Sequence, residues 1–441
     1  MNINTDYKEK YLIIQNNKIK IMYNDVLINT ERCEHIVLKA LYNLKSFSNL
    51  DVSLPLLNVL IIDKKLIDYY INNGFVIIIS DKVYAVECRA KISEDALSSE
   101  KGMLGSNTSF TKVFNDNLYL IRNRIKSNKL KSLSFDMGSL SKTRCSILYI
   151  DGIANKDLVK KVYKKLNKIK IDGVLDSCYL KDYINKFSLF PVITSTMRPD
   201  KASSSLLEGK IVIIADNSIN AIVLPNIFID FFHTMDDYYT SYILSSFIRI
   251  IRLIAFIISI FLPSIYVLLY LNNNSLIRIS NKNALLDIFI QNIFLIVIFN
   301  ILRESDLHKN SNNASSFSLL GGLVFGTSAS LSKFVSPISL IIVSLSTIST
   351  LVFDSYEFQN TINILKIIVL ILTWLLGAKG LIISIIFIFV SLLLTRTFNV
   401  YYLYPFIPFN KKSIIDTFLR IRVHNKYRNK VFTNNIKRGK I

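Results

Sequence analysis

Three side chains with metal-binding chemistry stand close together in the segment "FFHTMDDYYTSY", just before a long apolar stretch. They are His233, Asp236 and Asp237, and imidazole and carboxylate groups are common zinc ligands. Polar residues in this position also cap the first turn of the helix that follows. Both a metal site and an interfacial cap therefore fit the pattern, and we interpret it as a cap.

The rest of the sequence offers little for catalysis. It contains no phosphate-binding loop and no GxGxxG, GxSxG or HExxH motif, and its four histidines are scattered. In the segment "RPD", Arg198 could bind an anion, but an ion pair with Asp200 that braces the turn at Pro199 accounts for the same residues. We therefore predict a protein that is not an enzyme, with no cofactor and no catalytic or metal-binding residue.

Hydropathy divides the chain into two parts. Residues 1–240 mix charged and apolar side chains, whereas charges become scarce between about residues 247 and 395. The first residues lack the apolar core and cleavage site of a secretory signal. This pattern predicts a soluble N-terminal region that stays in the cytoplasm, followed by a membrane domain of four to six helices.

The stretch from Leu253 to Leu271 has about the ~20 residues that span a bilayer. Arg249 and Arg252 lie one helical turn apart at its start, where they could reach the headgroups on the cytoplasmic side. Pro263 lies near its middle and removes one backbone hydrogen bond. Since lipid cannot satisfy the freed carbonyl, this helix is expected to have protein neighbours around its centre.

Further apolar runs follow at about 285–302, 317–332, 335–353, 362–376 and 380–395, and several are shorter than a full span. The tail 411–441 carries ten Lys or Arg residues against one acid, Asp416. Such a tail favours the cytoplasmic side and contact with anionic lipid rather than nucleic acid, because no aromatic platform accompanies the charge. An even number of crossings, six or four, would place both ends of the chain there.

Small residues mark two of these runs. Gly322 and Gly326 have the GxxxG spacing of closely packed membrane helices. The following run carries hydroxyls on one helical face, which could line a water-filled pore or simply allow close packing, and spacing alone favours packing. The candidate gating and packing residues are Arg249, Arg252, Pro263, Gly322, Gly326, Ser336, Pro337, Ser339, Ser346 and Thr350.

Two pairs of similar segments in the soluble part predict an internal repeat. The segments Gly74–Cys88 and Gly209–Val223 each read as a strand, a turn with an acid (Asp81, Asp216) and a second strand. Each is preceded by an apolar strand that ends in an acid, Asp63 or Asp151, and leads into a helical pattern. We predict two related α/β subdomains before an all-α multi-span membrane domain: 1–100 (a reduced copy), 101–130 (a linker helix), 131–240, 241–410 (membrane) and 411–441 (basic tail).

Taken in order, nine segments resemble one family, the A subunits of the GerA-type spore germinant receptors. The resemblance runs from about residue 55 to 410, and its motifs include Arg198, Pro199, Asp200, Glu208, Arg303 and Glu304. The segments are "GSNTSFTKVFNDNLYLIRNRIK", "LYIDGIA", "IDGVLDSCYL", "RPDKASSSLLEGK", "FFHTMDDYYTSYI", "RIIRLIAFIISIFLPSIYVLL", "NILRES", "VSPISLIIVSLSTIS" and "FNVYYLYPFIP".

The chain also departs from the family pattern at several positions. Asn217 replaces a usual Gly and Asn300 a usual acid, while the segment 272–283 is short. In the closing motif, Asn399 and Tyr401 stand where Gly and Pro are typical. The sequence therefore reads as a diverged member.

The resemblance implies a three-part receptor in the inner membrane of the dormant spore. A permease-like B subunit would bind the nutrient, a lipoprotein would form the C subunit, and this chain would form an oligomeric membrane channel with a cytoplasmic α/β domain. On this basis we predict a subunit that gates ion release at germination. The alternative is a scaffold that conducts nothing, and a third class, a membrane enzyme acting on a nucleotide or lipid, lacks a phosphate loop or acid cluster.

Overall fold

The computed structural model describes residues 4–14, 17–39, 58–80, 82–90, 108–184, 188–272, 284–307, 333–398, 400–420 and 432–433, together with residues 322, 326 and 331. Asp81 and most of the predicted run 317–332 lie outside the described residues.

The first subdomain is a five-stranded sheet in which every described pair of strands is antiparallel. Its apolar residues alternate as the two-residue period of a strand requires. Val76 and Ile78 face one core, and Phe75 and Ile77 face the other. The strands are β1 (Tyr7–Ile14), β2 (Asn17–Asn24), β3 (Val59–Ile61), β4 (Phe75–Ile79) and β5 (Val83–Glu87), with helical turns at Thr30–Arg32, Cys33–Leu38 and Lys64–Leu66 and helix α1 at Ile67–Ile71.

The second subdomain repeats this arrangement with longer helices. Its strands are β6 (Leu130–Met137), β7 (Thr143–Ile150), β8 (Thr194–Thr196), β9 (Ile211–Ala215) and β10 (Ala221–Leu224). Helices cover both faces of the sheet, because residues of β9 alternate between two buried cores. The helices are α2 (Phe114–Arg124), α3 (Lys156–Leu166), α4 (Tyr179–Ile184) and α5 (Pro199–Glu208).

Strand order establishes the internal repeat. The first sheet runs β1-β2-β4-β5-β3 and the second β6-β7-β9-β10-β8, so each strand has a counterpart. Both predicted hairpins are present as β4–β5 and β9–β10. In the second hairpin turn, Asn217 takes a left-handed φ of 60°, a conformation that Asn tolerates better than most residues.

The prediction that the strands preceding the two hairpins correspond to each other was wrong. We matched the strand before Asp63 with the strand before Asp151, but β3 lies at the edge of its sheet whereas β7 lies inside the other. A strand followed by an acid and a helix specifies local structure but not position in a sheet. The helix expected as a linker, α2, packs on the second sheet beside α5, and its Arg122 forms a buried ion pair with Asp6 at 2.6 Å.

The C-terminal half consists of helices. Among the described residues, three helices are long and apolar enough to cross a membrane: α6 (Tyr242–Leu271), α7 (Ile288–Leu307) and α9 (Tyr356–Leu376). Two shorter apolar helices accompany them, α8 (Pro337–Leu351) and α10 (Ala378–Leu394). The predicted fold class, two related α/β subdomains followed by an all-α membrane domain, is confirmed. The remaining elements are the short strands β11 (Arg396–Thr397) and β12 (Val400–Tyr401), the turns Phe228–Phe232 and Met235–Tyr238, and helix α11 (Lys411–Phe418).

Contacts define the two ends of this helix bundle. At the end that touches the second subdomain, called the soluble end here, α6 and α9 begin and α7, α8 and α10 finish. Tyr356 at the start of α9 donates to Glu304 near the end of α7 at 2.6 Å, and Tyr402 after α10 donates to the Pro191 carbonyl at 3.2 Å. At the far end, the Leu285 amide donates to the Lys333 carbonyl at 2.9 Å.

Candidate functional site

A buried carboxylate joins the second subdomain to the first membrane helix. Asp237 Oδ2 accepts hydrogen bonds from Arg249 Nε and Arg252 Nη1, each at 3.1 Å, and Asp237 Oδ1 accepts from Arg252 Nη1 at 2.9 Å. The exposed fractions of the three side chains are 1%, 1% and 9%. Such desolvated, multiply bonded pairs hold their partners in one geometry. We call Asp237, Arg249 and Arg252 the joint.

The expectation that the two arginines reach lipid headgroups was wrong. Arg252 also donates to the Phe232 carbonyl at 3.0 Å and to Thr234 Oγ1 at 2.9 Å, while Arg249 donates to the Asp416 carbonyl at 2.7 Å. A carboxylate and several carbonyls therefore surround the guanidinium groups on the protein side. Asp237 accepts from the amide and hydroxyl of Thr234 and so caps the turn Met235–Tyr238, whereas Ser241 caps α6. His233 lies 3.3 Å from the Thr417 carbonyl.

The C-terminal segment completes this region. Arg420 donates to the Tyr238 carbonyl at 3.2 Å, next to the joint. Further along the chain, the Phe432 carbonyl accepts from the Asn155 backbone N–H at 3.0 Å, and Thr433 forms a β-bridge with Ala154. The basic tail therefore has described contacts with the second subdomain and with α6 at the same end of the bundle.

A second contact links the second subdomain to α9. Lys181 of α4 forms an ion pair with Glu357 in the first turn of α9. Thr361 Oγ1 donates to the Leu189 carbonyl at 2.9 Å. Between these polar contacts, packed aromatic rings from the subdomain, α6 and the α8–α9 turn form a cluster of Phe228, Phe231, Phe232, Phe256, Phe353 and Phe358.

A cavity of about 700 Å³ lies beside this contact. Its walls come from α4, α5, the sheet edge at β8 and the α8–α9 turn, and they include Glu208 and Lys201. The predicted "RPD" group lies near it as a brace: Arg198 donates to both carboxylate oxygens of Asp200 at 3.1 and 2.7 Å, and Pro199 opens α5. Burial raises the pKa of Asp200, but the hydrogen bonds and charge of Arg198 outweigh it and hold that pKa below its usual value.

Polar contacts continue from the soluble end into the helix bundle between α7 and α9. Arg303 donates to Gln359 at 3.3 Å and to Asn360. Its guanidinium carbon also lies over the Tyr356 ring, 5.4 Å from the ring centroid. One turn deeper, Asn363 donates to Asn300 at 2.8 Å. Asn300, described above as a departure from the family pattern, is thus paired with another amide.

One turn further along α9 lies Lys366, whose exposed fraction is 0%. Its ammonium lies 3.4 Å from the Thr350 hydroxyl on α8. We did not single out this residue from the sequence, although it is the one charged side chain in the apolar run 362–376. An ionisable group inside an apolar span is itself a signal for a functional position.

The hydroxyl face of α8 continues the line of polar groups toward the far end. Ser346 donates to the Ser259 carbonyl on α6 at 2.9 Å. This is the carbonyl four residues before Pro263, the one that the proline leaves without its helical donor. A neighbouring helix therefore supplies the hydrogen bond that Pro263 removes, as the chemistry of a proline in lipid requires.

Near the far end, Ser336 caps α8 just before Pro337, and Ser339 donates to the Tyr266 hydroxyl on α6 at 3.2 Å. At the other, soluble end of α8, Thr350 donates back to the Ser346 carbonyl at 3.1 Å. Within one chain, this face packs against α6 and α9. We call the line of groups from Arg303 through Lys366 and Thr350 to Ser336 the polar seam.

The two glycines of the GxxxG pattern lie against helices as well. A Cβ at Gly326 would lie 3.5 Å from Leu340 of α8, and one at Gly322 would lie 3.8 Å from Leu302 of α7. The structure therefore places nearly all predicted residues of the membrane part at helix contacts. Their role in gating stays a prediction.

Comparison with known proteins gives the family. The family model described as "Bacillus/Clostridium GerA spore germination protein" matches residues 1–431. Spore germination protein GerQA of Bacillus cereus is 32% identical over 77% of this chain and 70% of its own length. Spore germination protein KA of Bacillus subtilis is 30% identical over 74% of this chain, which spans 61% of that relative.

A solved structure also matches, that of the N-terminal domain of the A subunit of the Bacillus megaterium spore germinant receptor GerK3. The identity is 25% and the TM-score 0.39, with 51% of this chain and 90% of that chain covered. The family match spans both subdomains, the joint and the seam. This chain therefore belongs to the GerA family of spore germination proteins, as an A subunit of the GerA receptor type.

Proposed function

We propose that this chain is the membrane subunit of a nutrient germinant receptor, that it oligomerises, and that it gates the ion release that starts germination. The joint is the observation that supports this most directly. Because two arginines of α6 are bound to one carboxylate of the second subdomain, a movement of that subdomain turns α6. In turn, α6 contacts α8 through Ser259 and Ser346 beside Pro263.

The proposed partners are a permease-like B subunit, a lipoprotein C subunit and membrane lipid. In this proposal the protein lies in the inner membrane of the spore, with the domains divided near residues 100, 130, 240 and 410. The N-terminal domain and the tail lie on the cytoplasmic side. Support comes from the C-terminal contacts, since Arg420 donates to Ser246 at the start of α6 and Thr433 pairs with Ala154 of the second subdomain.

A scaffold that conducts nothing is the second candidate. The observation in its favour is that Ser336, Ser339, Ser346 and Thr350 are buried against neighbouring helices of the same chain. Cysteine substitution along α8 in the assembled receptor separates the two. Reaction with a water-soluble thiol reagent on this face, increased by nutrient, supports a conducting path, whereas uniform protection supports the scaffold.

The ion pair between Lys181 and Glu357 provides the test of coupling. We expect the reversals Lys181→Glu and Glu357→Lys each to lower the rate of nutrient-triggered ion release about fivefold or more, because coupling energies of 1–3 kcal/mol give such factors. The double reversal should restore the pair and the rate. Ion release is measured in spores that carry each variant as their only copy of this receptor.

A matched control comes from the surface pair of Lys156 and Asp151, 3.3 Å apart in the same subdomain. Its reversal should leave ion release unchanged, since exposed pairs contribute little and this one has no described contact with the helix bundle. If the Lys181 and Glu357 reversals also release ions at the normal rate, the coupling between subdomain and bundle through α9 is refuted.

Pro263 and Ser346 are expected to be energetically coupled. Ser346→Ala leaves the Ser259 carbonyl unpaired, which costs about 1–3 kcal/mol. With Pro263→Ala already present, the new amide at position 263 bonds that carbonyl, so the cost of Ser346→Ala should shrink. Thermal unfolding of the two single variants and the double variant in detergent measures the difference. Strictly additive effects would show that the Ser346 hydroxyl does not serve the proline.

A further inference from the structure

The charge on Lys366 lacks a partner of opposite sign. Among the described residues, no carboxylate lies within ion-pair distance of its ammonium, and the Thr350 hydroxyl at 3.4 Å is its one hydrogen-bond partner. An ammonium has three donors, so most of its hydrogen-bonding capacity is unused. Burying a charged group without compensation costs several kcal/mol, which natural membrane domains rarely tolerate without a function.

A second cation points into the same part of the bundle. Arg303 uses its terminal nitrogens on Gln359 and Asn360, but its buried Nε has no partner among the described residues. The acids nearby are engaged elsewhere, since Glu304 accepts from Tyr356 and Glu357 pairs with Lys181. The part of the polar seam nearest the soluble end therefore carries two basic side chains with unused donors.

We propose that Lys366, beside Thr350, forms a binding site for a small monovalent anion such as chloride, with Arg303 adding positive potential from the soluble end. The ammonium supplies the N–H donors that such an anion accepts from, since the single hydroxyl proton of Thr350 is used on the Ser346 carbonyl. Asn300 and Asn363, paired between the two cations, leave the seam polar along the way to the soluble end. Binding at equilibrium does not depend on conduction, so this proposal stands or falls separately from the proposed function.

The experiment compares thermal unfolding of the full chain in detergent at constant ionic strength in sodium chloride and in sodium gluconate, whose anion is much larger than chloride. Trp374, the single tryptophan of the sequence, lies two turns beyond Lys366 and reports unfolding by its fluorescence. Because a ligand of the native state raises its stability, we expect a midpoint higher in chloride by on the order of 2–4 °C.

Lys366→Met, similar in length and uncharged, should abolish the chloride effect. Lys379→Met is the matched control, since Lys379 is an exposed lysine of α10, and it should keep the full effect. Equal midpoints of the wild-type chain in the two salts, or a chloride effect that survives Lys366→Met, would overturn the site. If Lys366→Met fails to fold, equilibrium dialysis of the wild-type chain with radioactive chloride decides: about one bound chloride per chain supports the site, and none refutes it.

Discussion

Asp237→Asn is expected to destabilise the protein by about 3–5 kcal/mol, because it leaves the buried guanidinium of Arg252 without a described counter-charge and that of Arg249 with Asp416 alone, at 3.8 Å. Arg249 and Arg252 both depend on this carboxylate, and the exposed fractions of the three side chains are 9% or less. Unfolding of the purified chain in detergent measures the loss. In spores, the same variant should show no response to nutrient, since the second subdomain would no longer hold α6.

Asp157→Asn provides the comparison for Asp237→Asn. Asp157 is an exposed aspartate in the first turn of α3. Asp157→Asn should lower the free energy of unfolding by only about 0.3–1 kcal/mol, the usual contribution of a negative charge near a helix N-terminus. A stability equal to wild type for Asp237→Asn would mean that the arginines find other partners and that the joint does not hold α6. Adding Arg252→Met to Asp237→Asn should recover part of the loss, because it removes the guanidinium that is left without a described carboxylate.

Gly380→Ala is expected to have the second large effect. Gly380 lies in the first turn of α10, directly against α9, and a Cβ there would overlap the carbonyl oxygen of Leu372. Since that oxygen belongs to the backbone of α9, only a separation of the two helices could relieve the overlap. We expect a cost above the usual ~1–3 kcal/mol of overpacking, with a chain that aggregates on extraction from the membrane.

The control for Gly380→Ala is the same substitution at Gly322. A Cβ there would meet Leu302 Cδ1 at 3.8 Å, an ordinary contact, so Gly322→Ala should leave a monodisperse chain. Size-exclusion chromatography and thermal unfolding of both variants distinguish them. If Gly380→Ala behaves like Gly322→Ala, the α9–α10 hairpin does not require the close approach at its turn.

Local chemistry made some of this structure predictable. Pro263 lacks a backbone N–H, so the sequence predicts that the carbonyl four residues earlier needs another donor. The two hairpins were predictable because each consists of two apolar runs around a turn. The partners of Arg249 and Arg252 did not follow, because Asp237 lies 12 and 15 residues away and only the packed chain brings them together. Lys366 was overlooked because one lysine hardly alters the hydropathy of its run, although its cost in an apolar environment is large.

The position of a strand within its sheet was also not predictable from the sequence. The strand before Asp63 and the strand before Asp151 look alike because both are short apolar runs with similar neighbours. Their places at the edge and the interior depend on pairing partners far away in sequence. In contrast, the repeat itself could be recognised in the sequence, because each hairpin pairs two strands that are adjacent along the chain.

The contact of Phe432 and Thr433 with Asn155 and Ala154 has a consequence for biogenesis. A ribosome delivers the second subdomain well before these two residues, and every helix of the bundle is made in between. The subdomain can receive these two residues only after every helix of the bundle has been synthesised. Completion of the soluble fold thus requires translation of the whole membrane part, and a chain that ended before Phe432 would expose the patch around Gly209 that Phe432 normally covers.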